Sequence, residues 1–124
     1  MRQLIRHRIL LAVMIISMFG CCEYDSLLIE GAFEGKFSRE GRESIVSLYL
    51  IDHQYYGSSD TERFPYIFDG RYIIFKDSIE FINDSPYFAN IDGTLVLDGK
   101  WGYQINGDSL FLSRFGDQYR LIKQ

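Results

Sequence analysis

From residue 31 onward, apolar and polar residues alternate with a period of two. That spacing turns one face of a β-strand inward and the other towards water. No stretch of this region holds the 3.6-residue period of an amphipathic helix. Phe33, Gly35 and Phe37 alternate with Glu34 and Lys36, which predicts a first strand over 33–37. Val46, Leu48 and Leu50 share one face and Ile45 and Tyr49 the other, which predicts a second over 44–51. Further strands are predicted over 54–58, 66–75, 78–82, 94–97, 101–105, 109–113 and 118–123.

Turn chemistry separates these segments. Glu40-Gly41-Arg42-Glu43 and Asp52-His53-Gln54 are polar turns, the loop 59–65 is closed by Pro65, and a long loop over 83–93 holds Pro86 and Gly93. Asn106-Gly107 accepts positive φ at both central positions of a type I′ hairpin. Short strands recurring about every 8–12 residues predict an all-β fold, an antiparallel meander closing as a barrel or sandwich. Closure would also remove the exposed sheet edges that so many strands leave.

An internal echo supports a repeated hairpin. Residues 69–82 read DGRYIIFKDSIEFI and residues 98–112 read DGKWGYQINGDSLFL. Each carries Asp-Gly, a basic residue, a large aromatic and then Asp-Ser before an alternating strand, and GAFEGKF near residue 31 shares the Gly-x-aromatic element. Glycine at such points permits a bulge or a close approach of backbones, and the aromatic that follows covers the interior. The succession Gly-x-Phe-x-Gly-x-Phe, Asp-Gly-Arg-Tyr, Asp-Ser-Ile-x-Phe, Gly-Lys-Trp-x-Tyr, Gly-Asp-Ser-Leu-x-Leu and Tyr-Arg-Leu-Ile-Lys resembles small lipocalin-like lipoproteins of Bacteroidota. It covers nearly all of residues 31–124. The resemblance implies a calycin-type barrel of about eight strands and no reaction.

The first residues read as an address. Arg2, Arg6 and Arg8 precede an apolar run over 9–19 broken only by Ser17, about half of the ~20 residues that span a bilayer. Gly20-Cys21 at the end of that run resembles the lipobox of bacterial lipoproteins. That resemblance implies cleavage before Cys21 and acyl chains on its thiol and new amino group, with Cys22 as the alternative attachment point. Several acyl chains at ~0.8 kcal/mol per buried CH₂ make a stable anchor. The chain then divides into a signal segment over 1–20, a lipidated tether over 21–30 and the barrel over 31–124. Glu23 and Asp25 resemble the surface-export signal of Bacteroidota lipoproteins. The expected location is the bacterial envelope, anchored in the outer membrane.

Composition narrows the chemistry. The 124 residues hold two cysteines, adjacent in sequence, so neither a disulfide framework nor a cysteine zinc site can be built. Three of the thirteen basic residues lie in the leader, leaving ten against seventeen acids. A mature charge near −7 and no basic stripe argue against nucleic acid as a partner. His53, the one histidine outside the leader, sits beside Asp52 with Ser58 and Ser59 nearby, but the spacing resembles no nucleophile motif and reads as a turn. One histidine and no calcium-loop spacing give no metal site, and no catalytic residues or cofactor are expected. Nine tyrosines and ten phenylalanines are the more informative feature. Phe33, Phe37, Tyr56, Tyr72, Trp101 and Tyr103 alternate on strands and are the candidates to line a ligand cavity or to fill the interior. Arg63-Phe64-Pro65-Tyr66 and Pro86-Tyr87-Phe88 place further aromatics in loops, as an interface or as a cover for a barrel end. The functional expectation is a non-enzymatic binding module for a small apolar ligand or peptide. The alternative is a structural or protein-interaction lipoprotein with a filled core, such as a protease inhibitor or assembly accessory.

Overall fold

A computed structural model describes residues 29–87 and 89–124. Eight strands follow one another: β1 Gly31–Arg39, β2 Arg42–Ile51, β3 Gln54–Ser59, β4 Asp69–Ile74, β5 Ser78–Asn83, β6 Gly99–Asn106, β7 Ser109–Arg114 and β8 Asp117–Lys123. Each pairs antiparallel with the next, and β1 pairs with β8, so the meander closes into a barrel. The seam runs from Phe33 opposite Lys123 to Ser38 opposite Gln118. Closure pairs the ladder groups of both outermost strands, which an open sheet would leave bare.

Alternation decides which side chains enter. Phe33 and Phe37 of β1, Val46, Leu48 and Leu50 of β2, Ile79 and Phe81 of β5, Leu110 and Leu112 of β7, and Tyr119 and Leu121 of β8 are all buried. Burying each large side chain stabilises the fold by about 1.5–3 kcal/mol relative to leaving it exposed. Two glycines of the sequence motifs, Gly35 and Gly70, sit where backbones crowd. A Cβ at Gly70 would meet the carbonyl oxygen of Ile82 at 2.0 Å.

Two of the nine expected strands are corrected. The segment expected over 66–75 shortens to Asp69–Ile74, because Tyr66 leaves the wall to bridge in parallel with Val96. The strand expected over 94–97 does not form. Gly93–Leu95 is one 3-10 turn, capped by the Asp92 carboxylate, which accepts from the Thr94 amide at 3.0 Å. Val96 and Leu97, adjacent in sequence, are both fully buried, which a strand with one wet face does not allow.

The barrel has two unlike ends. At the lower end lie the short turns β2–β3, β4–β5 and β6–β7 and the point where the described chain enters at Ile29. Ile29 is buried, and its carbonyl accepts the Tyr72 hydroxyl at 2.8 Å. At the upper end, two long connections, 60–68 and 84–98, cross above the interior.

Burial raises the Tyr72 phenol to about 12, with Glu30 adding to the effect. The unfolded phenol ionises near its ordinary value of about 10. Tyr72 therefore contributes its full stability below about pH 10 and loses it as pH rises towards about 12, because the unfolded chain releases its proton first. Urea midpoints should be level up to about pH 10 and then fall. Tyr72→Phe should have a shallower alkaline slope than the wild type.

Candidate functional site

Four of the six aromatics expected to line or fill the interior lie in the buried core: Phe33, Phe37, Tyr72 and Trp101. Tyr103 is half-buried and packs against that core, its hydroxyl donating to the carbonyls of Phe75 at 3.1 Å and Lys76 at 3.3 Å. Tyr56 is the exception and is corrected. It is 53 % exposed on the outer wall and stacks on Tyr49 with centroids 4.6 Å apart. Its neighbour Tyr55 takes the inward position, opposite Leu50 on one side and Gly70 on the other. One residue of register decides which of two adjacent tyrosines is inside.

The interior is occupied by rings in contact. Phe37 meets Phe64 at 5.1 Å and Tyr119 at 4.8 Å, Trp101 meets Tyr119 at 5.2 Å, and Tyr55 meets Phe81 at 5.1 Å. Polar tips are satisfied at the upper end: the Tyr55 hydroxyl donates to the Leu97 carbonyl at 2.9 Å, and Trp101 Nε1 to that of Asp98 at 3.1 Å. Burial pushes the Tyr55 and Tyr119 phenols far above their ordinary range. A cleft of about 90 Å³ reaches Phe33 and Leu110 from the lower end. Small-molecule sites run to ~300–1,000 Å³. Tyr55, Phe81 and Tyr119 did not emerge from the sequence as interior residues. The signal available for Tyr55 was Gly57, which shares its face and leaves room for a neighbour.

At the upper end the long connections are tied to the wall. Arg39, the last residue of β1, donates from Nε to Asp117 Oδ1 at 2.7 Å and from Nη2 to Oδ2 at 2.5 Å. It also reaches Thr94 Oγ1 at 3.0 Å and the Thr94 carbonyl at 3.1 Å. Hydrogen bonds from the Thr94 side chain and backbone hold the Asp92 carboxyl below the usual carboxylate range. Arg114 lies with its guanidinium 4.2 Å from the Trp101 ring centre and donates to the Asp98 carbonyl. Arg39 and Arg114 at the upper opening are thus engaged in holding the barrel together. Asp117→Asn keeps the shape but removes the charge opposite a fork of donors. We expect it to cost about 2–3 kcal/mol of unfolding free energy, read by urea denaturation.

The two connections also meet on the outside. Tyr66 donates its amide to the Leu95 carbonyl at 3.0 Å and accepts from the Leu97 amide at 3.0 Å. That pairing brings Tyr66, Phe68 and Tyr87 into a ladder of stacked rings, with centroids 5.9 and 6.1 Å apart and planes within 19° and 6°. Tyr87 is exposed, and Tyr66 and Phe68 are half-buried. Beside the ladder, Glu62, Arg63, Tyr66, Ala89, Asn90 and Ile91 border an open groove of about 690 Å³. Phe64, from the same loop, instead turns inward and is covered by the Arg42 guanidinium at 4.2 Å. Among the described loop aromatics, Phe64 closes the end and Tyr66 and Tyr87 face outward, while Phe88 lies outside the described residues.

Asp52 and His53 form the lower β2–β3 turn, both with positive φ, whereas Ser58 and Ser59 end β3 at the upper side. The three side-chain types do not converge. Among the described residues no three His, Cys, Asp or Glu side chains cluster to hold a metal ion. Cys21 and Cys22 lie outside the described residues. Comparison of the chain with protein-family models, curated proteins and solved structures finds no match.

Proposed function

We propose that this protein is a lipid-anchored barrel of the bacterial outer membrane that binds a peptide segment of a partner protein on its outer surface. The observation that carries the reading is the packed interior: rings occupy the space in which a barrel of this size would hold a small ligand. Recognition is then left to the surface. The outward-facing ladder of Tyr66, Phe68 and Tyr87 beside its groove favours an extended peptide. Rigid aromatic area of this sort anchors protein contacts at low entropic cost. The ladder lies at the end of the barrel opposite Ile29. The lipobox-like Gly20-Cys21 supports the anchor and the envelope location.

The test combines two measurements on full-length protein. Labelled fatty acid should enter the wild type and not Cys21→Ala. A photocrosslinking residue at Tyr87 should capture one envelope protein in cells, capture should fail when Tyr66→Ala is added, and the same residue at Glu34 should capture none. Native mass spectrometry that finds a small apolar molecule retained by the detergent-extracted protein would overturn external binding.

A further inference from the structure

The eight strands alternate in direction, so four run towards the lower end and four towards the upper. The upward strands β1, β3, β5 and β7 finish in Arg39, Ser59, Asn83 and Arg114, all polar. The downward strands β2, β4, β6 and β8 each carry an isoleucine within two residues of the end: Ile51, Ile73, Ile105 and Ile122. These are 53, 42, 46 and 57 % exposed. Since they come from alternate strands of a closed barrel, they are spaced around the whole lower mouth and not gathered on one side. Phe75, just beyond β4, is also partly exposed there, with the Lys100 ammonium 4.8 Å from its ring centre. Among the described residues, the short turns of the upper end expose a single large apolar group, Phe115 between β7 and β8, whereas at the lower end the apolar groups recur around the mouth, a shape that suits a flat apolar partner.

We propose that this rim seats the folded domain end-on against the lipid bilayer. The inference rests on the reading that Cys21 is acylated. From Cys21 to Ile29 is eight residues, which reach at most about 29 Å when fully extended. Ile29 is fixed in the lower end by burial and by the Tyr72 hydroxyl, so the tether leaves from the isoleucine rim itself. An acyl chain on Cys21 therefore lies within about 29 Å of this end. Charge selects the lipid. The lower end carries Glu30, Asp52, Asp77 and Asp108 against Lys76 and Lys123, a negative balance that suits an uncharged or zwitterionic interface over an anionic one. End-on seating holds the Tyr66–Phe68–Tyr87 ladder away from the membrane, where a soluble partner reaches it.

Tryptophan quenching by lipid tests this. Full-length acylated protein carrying Ile105→Trp, Ile51→Trp or, at the upper end, Phe115→Trp is reconstituted into phosphatidylcholine vesicles with bromine near the headgroup end of the acyl chains. Phe115 is fully exposed in the β7–β8 turn, and the native Trp101 is buried, so the wild-type signal is subtracted. The emission of Trp at 105 and 51 should be roughly halved, since an interfacial group sits within ~5–10 Å of the headgroup boundary. Emission from position 115 should be unchanged. If the protein floats with the vesicles but the lower-end reporters are unquenched, or all three positions quench alike, the seating is overturned while the anchor stands. A doubled particle mass with silent lower-end reporters also overturns it, because a second copy then covers the rim. Protein that fails to float overturns the anchor, and the seating with it.

Discussion

Gly35→Ala is expected to cost about 3 kcal/mol or more, because the added methyl meets backbone and not a movable side chain. A Cβ at Gly35 would stand 1.9 Å from the Arg120 carbonyl oxygen and 2.8 Å from Leu121 Cα. Gly35 pairs with Leu121 across the β1–β8 seam, so relief of the clash requires those strands to part. Opening the seam exposes ladder groups on both strands and lets water reach Phe37 and Tyr119, which touch just inside it. For a domain whose total stability is about 5–15 kcal/mol, that leaves little margin. Urea denaturation followed by far-ultraviolet circular dichroism would show the midpoint fall. Gly102→Ala is the control: its Cβ would find Ser113 at 3.5 Å, ordinary contact, and its midpoint should move by less than about 0.5 kcal/mol. Equal effects at the two sites would mean that crowding at the seam is not what requires glycine at position 35.

The same glycine shows how far the sequence could be read. Gly35 and Gly70 stood out because each precedes an aromatic in a repeated motif, and both are sites of close backbone approach. The all-β meander was legible because alternation continues wherever a strand has one wet face. It failed over 94–97, where Val96 and Leu97 are both buried in the cover and no wet face exists to set a period. It erred at Tyr55 and Tyr56, where two like residues are adjacent, the local cue is only Gly57 on the Tyr55 face, and pairing with Leu50 and Gly70 fixes which one is inside. The division of the loop aromatics was beyond sequence altogether. Phe64 enters and Tyr66 stays out because the 60–68 connection pairs with Leu95 and Leu97, a contact across about thirty residues that no local pattern encodes. The isoleucine rim was present in the sequence, but its members become a ring only once strand direction is known.

Trp101→Ala should be the most damaging loss of a single side chain from the interior. The indole is 2 % exposed, meets Tyr119 edge to face at 5.2 Å and lies under the Arg114 guanidinium. Removing it loses the buried area and leaves a cavity that a closed barrel cannot collapse, for a cost of about 3–5 kcal/mol. The effect should reach the aromatic ladder. Asp98 accepts the Trp101 indole on its carbonyl and the Asn83 amide on its carboxylate, so it ties both ends of the 84–98 connection that carries Tyr87. Trp101→Phe keeps a ring against Tyr119 but gives up the hydrogen bond, and should cost about 1–2 kcal/mol. The pair separates packing from anchoring. If the Phe variant keeps its midpoint within that range but loses capture through position 87, the indole N–H sets the loop, and if it keeps both, packing alone does. A Trp101→Ala variant with an unchanged midpoint would mean that the interior is not held by its rings, and internal ligand binding would again be the better reading of this barrel.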